Sequence, residues 1–430
     1  MAHKRIIPIV IFLFSSMTLL LAQDHDNHNV APHGDSTQQV VPNHDAPTAH
    51  NAEGEHAGHN ACGFEFKEKK GYDASETILN HIANANEFHF FGHYSIPLPC
   101  VLYSKEDGLK TFMSSKFHHG SMAVDRYVSD HGMNKRIMGN FPAGEVELEK
   151  LHGEHYIYHD TLNNGFICFK GQKFELEKSS TLMKSASFYD FSFSKNVVTM
   201  LMAGFLLLFV FTSAAKKYKT NKGKAPSGTQ NLLEVMVQFI TDEVAKPMIG
   251  DKYFKFLPYL LTIFFFVLTN NLFGLIPFAP FGANVTGHIA TTAALALIAF
   301  LVTNFNGKAD YWKHIFWMPG VPVPMKIFLA PIELLGIFTK PISLMIRLFA
   351  NITAGHIIIL ALVGLIFFFG KSGESLGGSI IGTAIAVPFT LFLSVIEIIV
   401  AFIQAFIFTI LTASYIGGAV EEHDHKEAHH

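Results

Sequence analysis

Long apolar runs in the second half of the chain constrain its fold more than any other feature of the sequence. The first run occupies residues 196–215, and about 20 apolar residues in a helix are enough to cross a bilayer. Similar runs occupy residues 256–278 and 289–305, and longer ones occupy residues 327–370 and 380–417. Each of the last two exceeds the length of one upright helix, so we expect both to be tilted or kinked. The sequence therefore predicts five membrane spans.

Lysines between the apolar runs give the predicted spans a direction. Residues 216–255 include eight Lys and residues 306–326 include three, whereas residues 279–288 include neither Lys nor Arg. Because cytoplasmic loops are enriched in Lys and Arg, we place the first two segments inside and the third outside. The amino terminus is therefore predicted outside the cytoplasm and the carboxyl terminus inside. An amphipathic pattern over residues 231–249 predicts a helix on the membrane surface.

The first 22 residues have the pattern of a signal peptide. Lys4 and Arg5 provide the positive start, residues 6–21 are apolar, and Ala22 is a small residue at a plausible cleavage point. An uncleaved membrane anchor is the alternative. Either interpretation places the following segment outside the cytoplasm.

Two stretches of the chain are rich in His and poor in apolar side chains, residues 23–61 and residues 423–430. Such a composition cannot bury enough apolar surface to form a core, so we predict disorder in both. Because neutral imidazole binds Zn, Cu or Ni, a metal-binding tract is the alternative for the first stretch. The irregular spacing of its His residues favours disorder.

Residues 62–190 carry short mixed segments, which predict a small exported domain. Residues 78–85 have a helical pattern, whereas residues 95–104 and 165–176 have strand patterns with turn residues between them. The predicted fold class of the whole chain is therefore an all-α polytopic membrane protein with an N-terminal exported α+β domain.

Composition and motifs exclude several classes of function. The net charge of −3 gives no bulk attraction to nucleic acid. The sequence contains no P-loop motif and no nucleophile with its base, so we expect no nucleotide binding, no catalysis by this chain alone and no cofactor. Cys62, Cys100 and Cys168 lack metal-ligand spacing. One disulfide is possible among them, and the sequence leaves the pair open.

The predicted spans contain few ionisable groups: Glu333, Lys340, Arg347, His356 and Glu397. A charge in the middle of a membrane helix costs roughly 2.5–3.5 kcal/mol, so such groups are usually functional, paired or exposed to water. A structural ion pair within the helices is the alternative interpretation of Glu333, Lys340 and Arg347.

The spacing of these groups along the last two spans indicates a path for protons. At 1.5 Å per residue, Glu333 lies about 21 Å from Arg347 toward the cytoplasm, and His356 lies about 13 Å toward the outside. The fifth span runs back, so Glu397 is predicted at the depth of His356. Two half-paths would then be separated by a guanidinium, which stays protonated and cannot relay a proton. Because no other acid of the spans lies at the depth of Arg347, we expect a partner in the membrane to supply the carboxylate that it ionises.

Three motifs resemble the subunit a family of F-type ATP synthases. Residues 340–356, KPISLMIRLFANITAGH, resemble the family signature, and residues 404–415, QAFIFTILTASY, resemble its final helix. Residues 270–277, NNLFGLIP, resemble the second-span motif. The resemblance covers about residues 196–422, and the first two motifs together are highly specific.

The resemblance implies a proton-translocating stator subunit. Arg347 is expected to face the ring of c subunits, with Asn351 and Gln404 as polar neighbours on that surface. Glu333 and Ser343 match polar positions of the inner half-channel.

The two positions that match the outer half-channel are His356 and Glu397. Better-known bacterial members carry Glu and then His at these positions, so the titrating set is kept while its order is exchanged. The long exported domain departs from the compact members of the family, and the resemblance assigns it no role.

Partners and location also follow from the resemblance. It implies contacts with the c-subunit ring, the b-subunit peripheral stalk and the rest of the ATP synthase complex, within membrane lipid and without nucleic acid. It implies the inner membrane of a bacterium, with the amino terminus on the periplasmic side and the carboxyl terminus in the cytoplasm. It does not decide between H⁺ and Na⁺.

Other classes of function explain less of the sequence. A secondary transporter or channel working alone would also hold intramembrane charges, but no inverted repeat is visible. A surface metal-binding or adhesion protein anchored by its spans would account for the His-rich segment and leave Arg347 and Glu397 unexplained. An enzyme acting alone is the weakest alternative.

Overall fold

The computed structural model describes residues 62, 84–89, 95–151, 156–160, 164–180, 185–220, 225–276, 281–318, 321–371 and 375–421. The predicted signal peptide, both His-rich stretches and most of the predicted helix at residues 78–85 lie outside the described residues.

The region for which export is predicted, which we call the N-terminal region, consists of short β-strands and one 3₁₀ helix, Ser114–Gly120, as far as the structure describes it. The strands are β1 Glu87–His89, β2 Ser95–Pro97, β3 Pro99–Ser104, β4 Gly108–Met113, β5 Met122–Val124, β6 Tyr127–Asp130, β7 Met133–Ile137, β8 Glu145–Glu147, β9 Ile157–His159, β10 Gly165–Phe169, β11 Gln172–Lys178 and β12 Phe188–Asp190. Both predicted strand segments are confirmed. The second of them is a hairpin, because Lys170 and Gly171 adopt positive φ angles and turn the chain between β10 and β11.

Two antiparallel sheets form most of this region. The larger has the order β8-β5-β6-β7-β11-β10-β9, and the smaller has the order β12-β3-β4. Apolar side chains such as Val128, Ile137 and Ile167 are fully buried in the larger sheet. A disulfide joins Cys62 to Cys168, which settles the pair that the sequence left open. Cys100 is buried as a free thiol, and burial raises its pKa to about 12.

Helices form the second half of the chain. They are α1 Lys195–Thr220, α2 Thr229–Phe239, α3 Lys246–Ile249, α4 Tyr253–Leu275, α5 Ile289–Phe305, α6 Ala309–Phe316, α7 Val323–Phe369 and α8 Leu376–Val420. A π turn, Ile240–Ala245, joins α2 to α3, and a 3₁₀ turn, Gly250–Lys252, joins α3 to α4. The predicted surface helix at residues 231–249 is therefore the first part of a longer, interrupted helical run.

Four described helices or helical runs are long and apolar enough to cross a membrane by themselves, and a fifth span follows if α5 and α6 are counted together. Helices α5 and α6 are bent by 103° relative to each other at a short break. The predicted polytopic helical architecture is thus confirmed, with four or five spans. At 1.5 Å per residue α7 extends about 70 Å, more than twice the hydrocarbon thickness of about 30 Å, which requires a tilted or bent course.

Glycines allow the two longest helices to pack closely as an antiparallel hairpin. Near its closed end, Gly382 lies against the backbone of Ile366, where a Cβ atom would lie 3.0 Å from the Cα atom. Near its open end, Lys340 Nζ lies 5.5 Å from the ring centroid of Tyr415. Gly417, close to the end of α8, packs directly on the backbone of Met248 in α3. The hairpin is thereby held against the other helices near the end of α8.

Candidate functional site

Arg347 lies on a polar line along the outer side of α7. Ser343, Arg347 and Asn351 are spaced by four residues, so they share one face of the helix. Ser343 and Asn351 are exposed, and Arg347 is half-buried. Within the part of the chain that the structure describes, no carboxylate forms an ion pair with Arg347. The guanidinium is therefore available to a group outside this chain.

Glu397 and Gln404 lie on the buried face of α8. They are seven residues apart, and their exposed fractions are 7% and 6%. The expectation that Gln404 shares an exposed surface with Asn351 is not met in the isolated chain. Gln404 is instead enclosed with its neighbour Ala405, because this side of α8 packs on α4.

The carboxylate of Glu397 rests on the bare backbone of Gly355. An alanine at position 355 would place its Cβ atom 2.8 Å from Oε1 of Glu397, which is closer than real Cβ contacts. Gly355 directly precedes His356, which is half-buried. The expectation that His356 and Glu397 lie at similar depth is confirmed.

Arg347 and Gln404 lie at one level between two contacts of the hairpin. Lys340, seven residues before Arg347, contacts Tyr415 on α8, and Gly355, eight residues after Arg347, contacts Glu397 on α8. Antiparallel packing between these two contacts therefore brings position 404 to about the level of position 347. The guanidinium separates the Glu397 end of the hairpin from the Lys340 end.

A buried polar cluster, which sequence reasoning did not assign, fixes α8 on the Glu397 side. The Asn271 amide nitrogen in α4 donates to the backbone oxygen of Ala401, 3.0 Å away, midway between Glu397 and Gln404. Thr286 donates to the Asn271 carbonyl oxygen at 2.5 Å. The sequence signal was the motif at residues 270–277, which contains Asn271 and carried no role for it.

Several buried polar atoms in the same part of the protein have no hydrogen-bond partner among the described residues. They are Oε2 of Glu397, Oδ1 of Asn270 and Oγ1 of Thr291. Buried polar atoms without a protein partner are sites where ordered water binds. This side of the hairpin therefore has the polar lining that a hydrated path needs.

The Lys340 end of the hairpin has a second polar region. A cavity there is lined by residues that include Thr303, Asn304, Tyr311, Ile337, Lys340 and Tyr415. The Tyr311 hydroxyl lies 3.3 Å from Oδ1 of Asn304. Glu333 lies one helical turn before Ile337 and is close enough to Tyr311 for their charges to interact. The structure thus places Glu333 beside this cavity.

The N-terminal region contains a charged cluster of another kind. Ligand atoms of Asp130, His131 and His159 lie within 4.8 Å of one another. Lys135 forms an ion pair with the Asp130 carboxylate, and Nε2 of His159 lies 2.9 Å from Oδ2 of Asp130. Burial disfavours the charged carboxylate, but the His159 hydrogen bond and the Lys135 charge together hold the Asp130 pKa well below its usual range. The carboxylate is therefore saturated by protein groups.

The helices and these sites define a class of protein, namely a multi-pass membrane protein with ionisable groups in its long apolar helices. A family model described as the ATP synthase A chain matches residues 197–417, slightly more than half of the chain. The chain belongs to the ATP synthase A chain family, so it is a non-catalytic subunit of the membrane sector of that complex. A second model, described as a domain of unknown function, matches residues 77–191.

Curated relatives carry the same family description. The chain is 43% identical over 248 residues to ATP synthase subunit a of Chloroherpeton thalassium, a match that covers 56% of this chain and 71% of the relative. It is 45% identical over 253 residues to ATP synthase subunit a of Chlorobium phaeobacteroides, covering 56% and 70%. ATP synthase subunit a of an Anaeromyxobacter species is 41% identical over 249 residues, covering 56% and 57%.

Proposed function

We propose that this chain forms two proton half-channels against a rotating ring of c subunits and couples proton flow to ATP synthesis. The observation that carries the proposal is the position of the Glu397 carboxylate. Its buried carboxylate lies on Gly355, beside His356 and on the opposite side of Arg347 from the Lys340 cavity.

In the proposed outer half-channel, protons enter past the buried polar cluster. Asn271 holds α8 by its bond to Ala401, which fixes the position of Glu397 one turn away. Glu397 and His356 can each bind and release a proton, so together they pass protons toward the ring carboxylate. Water at the unpartnered Oε2 of Glu397 would link this pair to the outside.

Arg347 is proposed to separate the two half-channels. Since Arg stays protonated, it blocks direct proton transfer between them and favours the ionised form of the carboxylate that each c subunit presents. Its half-buried position on the line from Ser343 to Asn351 suits a partner that approaches α7 from outside the chain. Gln404 would support this surface from the α8 side.

In the proposed inner half-channel, protons leave through the polar cavity near Lys340 and Tyr415. Glu333 lies beside the cavity and accepts the proton before its release to the cytoplasm. Ser343 lies one turn after Lys340 and lines the approach from the ring. A proton would thus travel nearly a full ring turn between entry and exit.

The wider assembly is proposed on the same basis. The curated relatives come from bacteria, which supports the inner membrane of a bacterium as the location. The domain at residues 62–190 would follow a signal peptide, residues 1–22, and a His-rich segment, residues 23–61, on the periplasmic side. The membrane domain, residues 196–422, would contact the c ring and the b-subunit stalk, with the tail at residues 423–430 in the cytoplasm.

The Gly355 contact provides a direct test. Gly355→Ala would displace the Glu397 carboxylate, which is the flexible end of its side chain, so the fold should tolerate the change while the proton path is misaligned. We expect acid-driven ATP synthesis in membrane vesicles to fall about tenfold or more, since small misplacements of reacting groups have effects of this size. Gly336→Ala on the same helix is the matched control, because a Cβ atom there meets nothing within 4 Å.

Each outcome of this test has a definite meaning. Loss of synthesis in Gly355→Ala alone, with the complex assembled in both variants, supports the proposed outer path. Normal synthesis in Gly355→Ala would show that the position of the Glu397 carboxylate against Gly355 is not part of the proton path. Equal loss in both variants would point to a general effect of alanine in α7.

A further inference from the structure

The small sheet of the N-terminal region presents an unusual apolar surface. In strand β4 alternate residues are exposed, and in the segment from Phe188 to Ser194 exposed and buried residues also alternate. One side of the sheet packs inward through Cys100, Leu102 and Phe188, which are fully buried. The other side, which we call the aromatic face, carries large side chains that are each at least 40% exposed: Tyr103, Leu109, Met113, Tyr189, Phe191 and Phe193.

These side chains form one continuous patch across the three strands. Tyr189 is paired with Tyr103, which is paired with Leu109, so the three lie in one row. The backbone nitrogen of Phe193 donates to Pro99, which is paired with Met113, and this forms a second row. Phe191 lies between the rows, and its ring stacks on Tyr189 with centroids 6.3 Å apart.

The segment that carries three of these aromatic residues, residues 188–194, begins with strand β12 and leads directly into the first membrane helix. Phe193 is two residues before the start of α1 at Lys195. The backbone nitrogen of Lys195 donates to Ala85 at 2.8 Å, and that of Asn196 donates to the Asn84 side chain at 3.3 Å. These bonds fix the start of α1 to the segment that precedes β1. Phe193 therefore lies about 10 Å along the chain from the first apolar residue of α1, close to the lipid headgroups.

Polarity changes along the sheet in the direction expected of a membrane contact. Pro99, Met113 and Phe193, the row nearest α1, carry no polar side-chain group, whereas Tyr103 and Tyr189 carry hydroxyl groups farther away. The turn between β3 and β4, with Lys105, Glu106 and Asp107, is at the opposite end from α1. Aromatic side chains with this arrangement are enriched where a protein meets the membrane interface.

The size of the aromatic face also favours lipid over a protein partner. Three strands about 4.8 Å apart and rows about 7 Å apart give a patch of roughly 250–300 Å², under half of the about 800 Å² per partner in a stable protein interface. We propose that the aromatic face rests on the outer leaflet of the membrane, with Phe193 and Met113 inserted deepest. The N-terminal region would then brace α1 against the bilayer, independently of the proton path.

Site-directed spin labelling can test this proposal in the assembled complex reconstituted in phosphatidylcholine and phosphatidylglycerol vesicles. A nitroxide is attached to Met113→Cys and, separately, to Leu109→Cys. Met138→Cys is the matched control, because Met138 and Met113 have similar exposed fractions, 39% and 43%. Met138 follows Arg136, which binds Asp107 in the β3–β4 turn away from α1. The wild-type complex gives the background, since Cys100 is buried and the other cysteines are bridged.

Power saturation by oxygen, which concentrates in lipid, is compared with saturation by a water-soluble nickel chelate. We expect the oxygen-to-nickel ratio to be several-fold higher at Met113 than at Met138, with Leu109 between them. A nickel-dominated signal at Met113 equal to that at Met138 would overturn the proposal, because the face would lie in water. Low access of both reagents at Met113 would also overturn it, because a protein would then cover the face.

Discussion

The N-terminal region and the membrane helices differ in how they pair buried charged groups. In the N-terminal region, Arg136 is almost fully buried and donates to Asp107 at 2.7 Å, Glu106 at 2.6 Å and Ser187 at 2.8 Å. In the membrane helices, Glu397 is equally buried and its Oε2 has no hydrogen-bond partner among the described residues. This difference fits the proposed function, because charges that hold a fold together are paired with neighbouring groups, whereas a group that passes protons must keep hydrogen-bonding positions open to water or to a partner.

The same contrast separates Asp130 in the N-terminal region from Arg347 in α7. Asp130 has both Lys135 and His159 against its carboxylate. Arg347 has no carboxylate partner in the part of the chain that is described, although an unpaired charge in hydrocarbon is costly. We therefore expect the contacts of Asp130 to contribute stability and, on the proposed function, Arg347 to pair with a carboxylate of a partner. Substitutions at Asp130 should lower stability, whereas substitutions along the proposed proton path should lower activity.

After Arg347→Lys, which is treated last, the largest effect on activity is expected for Glu397→Gln. This change keeps the size of the side chain and removes its ability to bind and release a proton. We expect acid-driven ATP synthesis to fall about a hundredfold, within the range typical of lost proton-transfer groups, while the complex still assembles. Assembly is followed by the yield of intact complex. Normal synthesis with Glu397→Gln would contradict the comparison, because the open carboxylate of Glu397 would then be no more important for proton transfer than the paired carboxylate of Asp130.

The largest effect on stability is expected for Asp130→Asn. Lys135 is buried beside Asp130, so the substitution leaves a buried cation without its counter-charge. Breaking such a pair costs about 3–5 kcal/mol. Amide hydrogen exchange of β6 and β7 in the assembled complex measures the free energy of unfolding of this region. Unchanged exchange would show that Asp130 does not stabilise the sheet.

Acid should lower the stability of the N-terminal region through the Asp130 carboxylate. The folded state holds the Asp130 pKa below that of an unfolded chain, about 3.9, so the unfolded state binds more protons in acid. Its contribution is complete above that pH and is lost as the pH falls through and below about 4. With hydrogen exchange corrected for intrinsic rates, the loss of stability from pH 6 to pH 3 should be smaller in Asp130→Asn than in wild type. Equal slopes would assign the acid sensitivity to other groups.

The smallest effect is expected for Asp125→Asn. Its pair with Lys110 has Nζ and Oδ2 3.0 Å apart, and both side chains are about one third exposed. The Lys110 hydrogen bond lowers the Asp125 pKa, but water screens a pair with this exposure, and such pairs contribute about 0.2–1 kcal/mol. Hydrogen exchange of the neighbouring strands should change little. A loss as large as that in Asp130→Asn would mean that burial does not decide the strength of these pairs.

The sequence predicted those features that depend on length and composition. Apolar runs located the long helices, and strand patterns located β3, β10 and β11. Antiparallel counting placed Glu397 and His356 at one depth, which the Gly355 contact confirms. These predictions succeeded because they follow from the helical rise and the needs of a bilayer.

Features set by contacts between distant segments were not predictable. The bond from Asn271 to Ala401 joins residues 130 positions apart, and no local pattern indicates it. The burial of Gln404 depends on how α8 packs against α4. The pairing of Cys62 with Cys168 depends on the position of β10 in the larger sheet. Each of these requires the tertiary structure.

Arg347→Lys tests the central claim most directly, because it keeps the positive charge and removes the planar guanidinium. Acid-driven ATP synthesis is measured in membrane vesicles from wild type and from the variant, after the assembled complex has been quantified in both. The account predicts synthesis in wild type and none in the variant with the complex intact. Equal synthesis in both would contradict it, because Arg347 would then be a structural cation and no guanidinium would separate the half-channels.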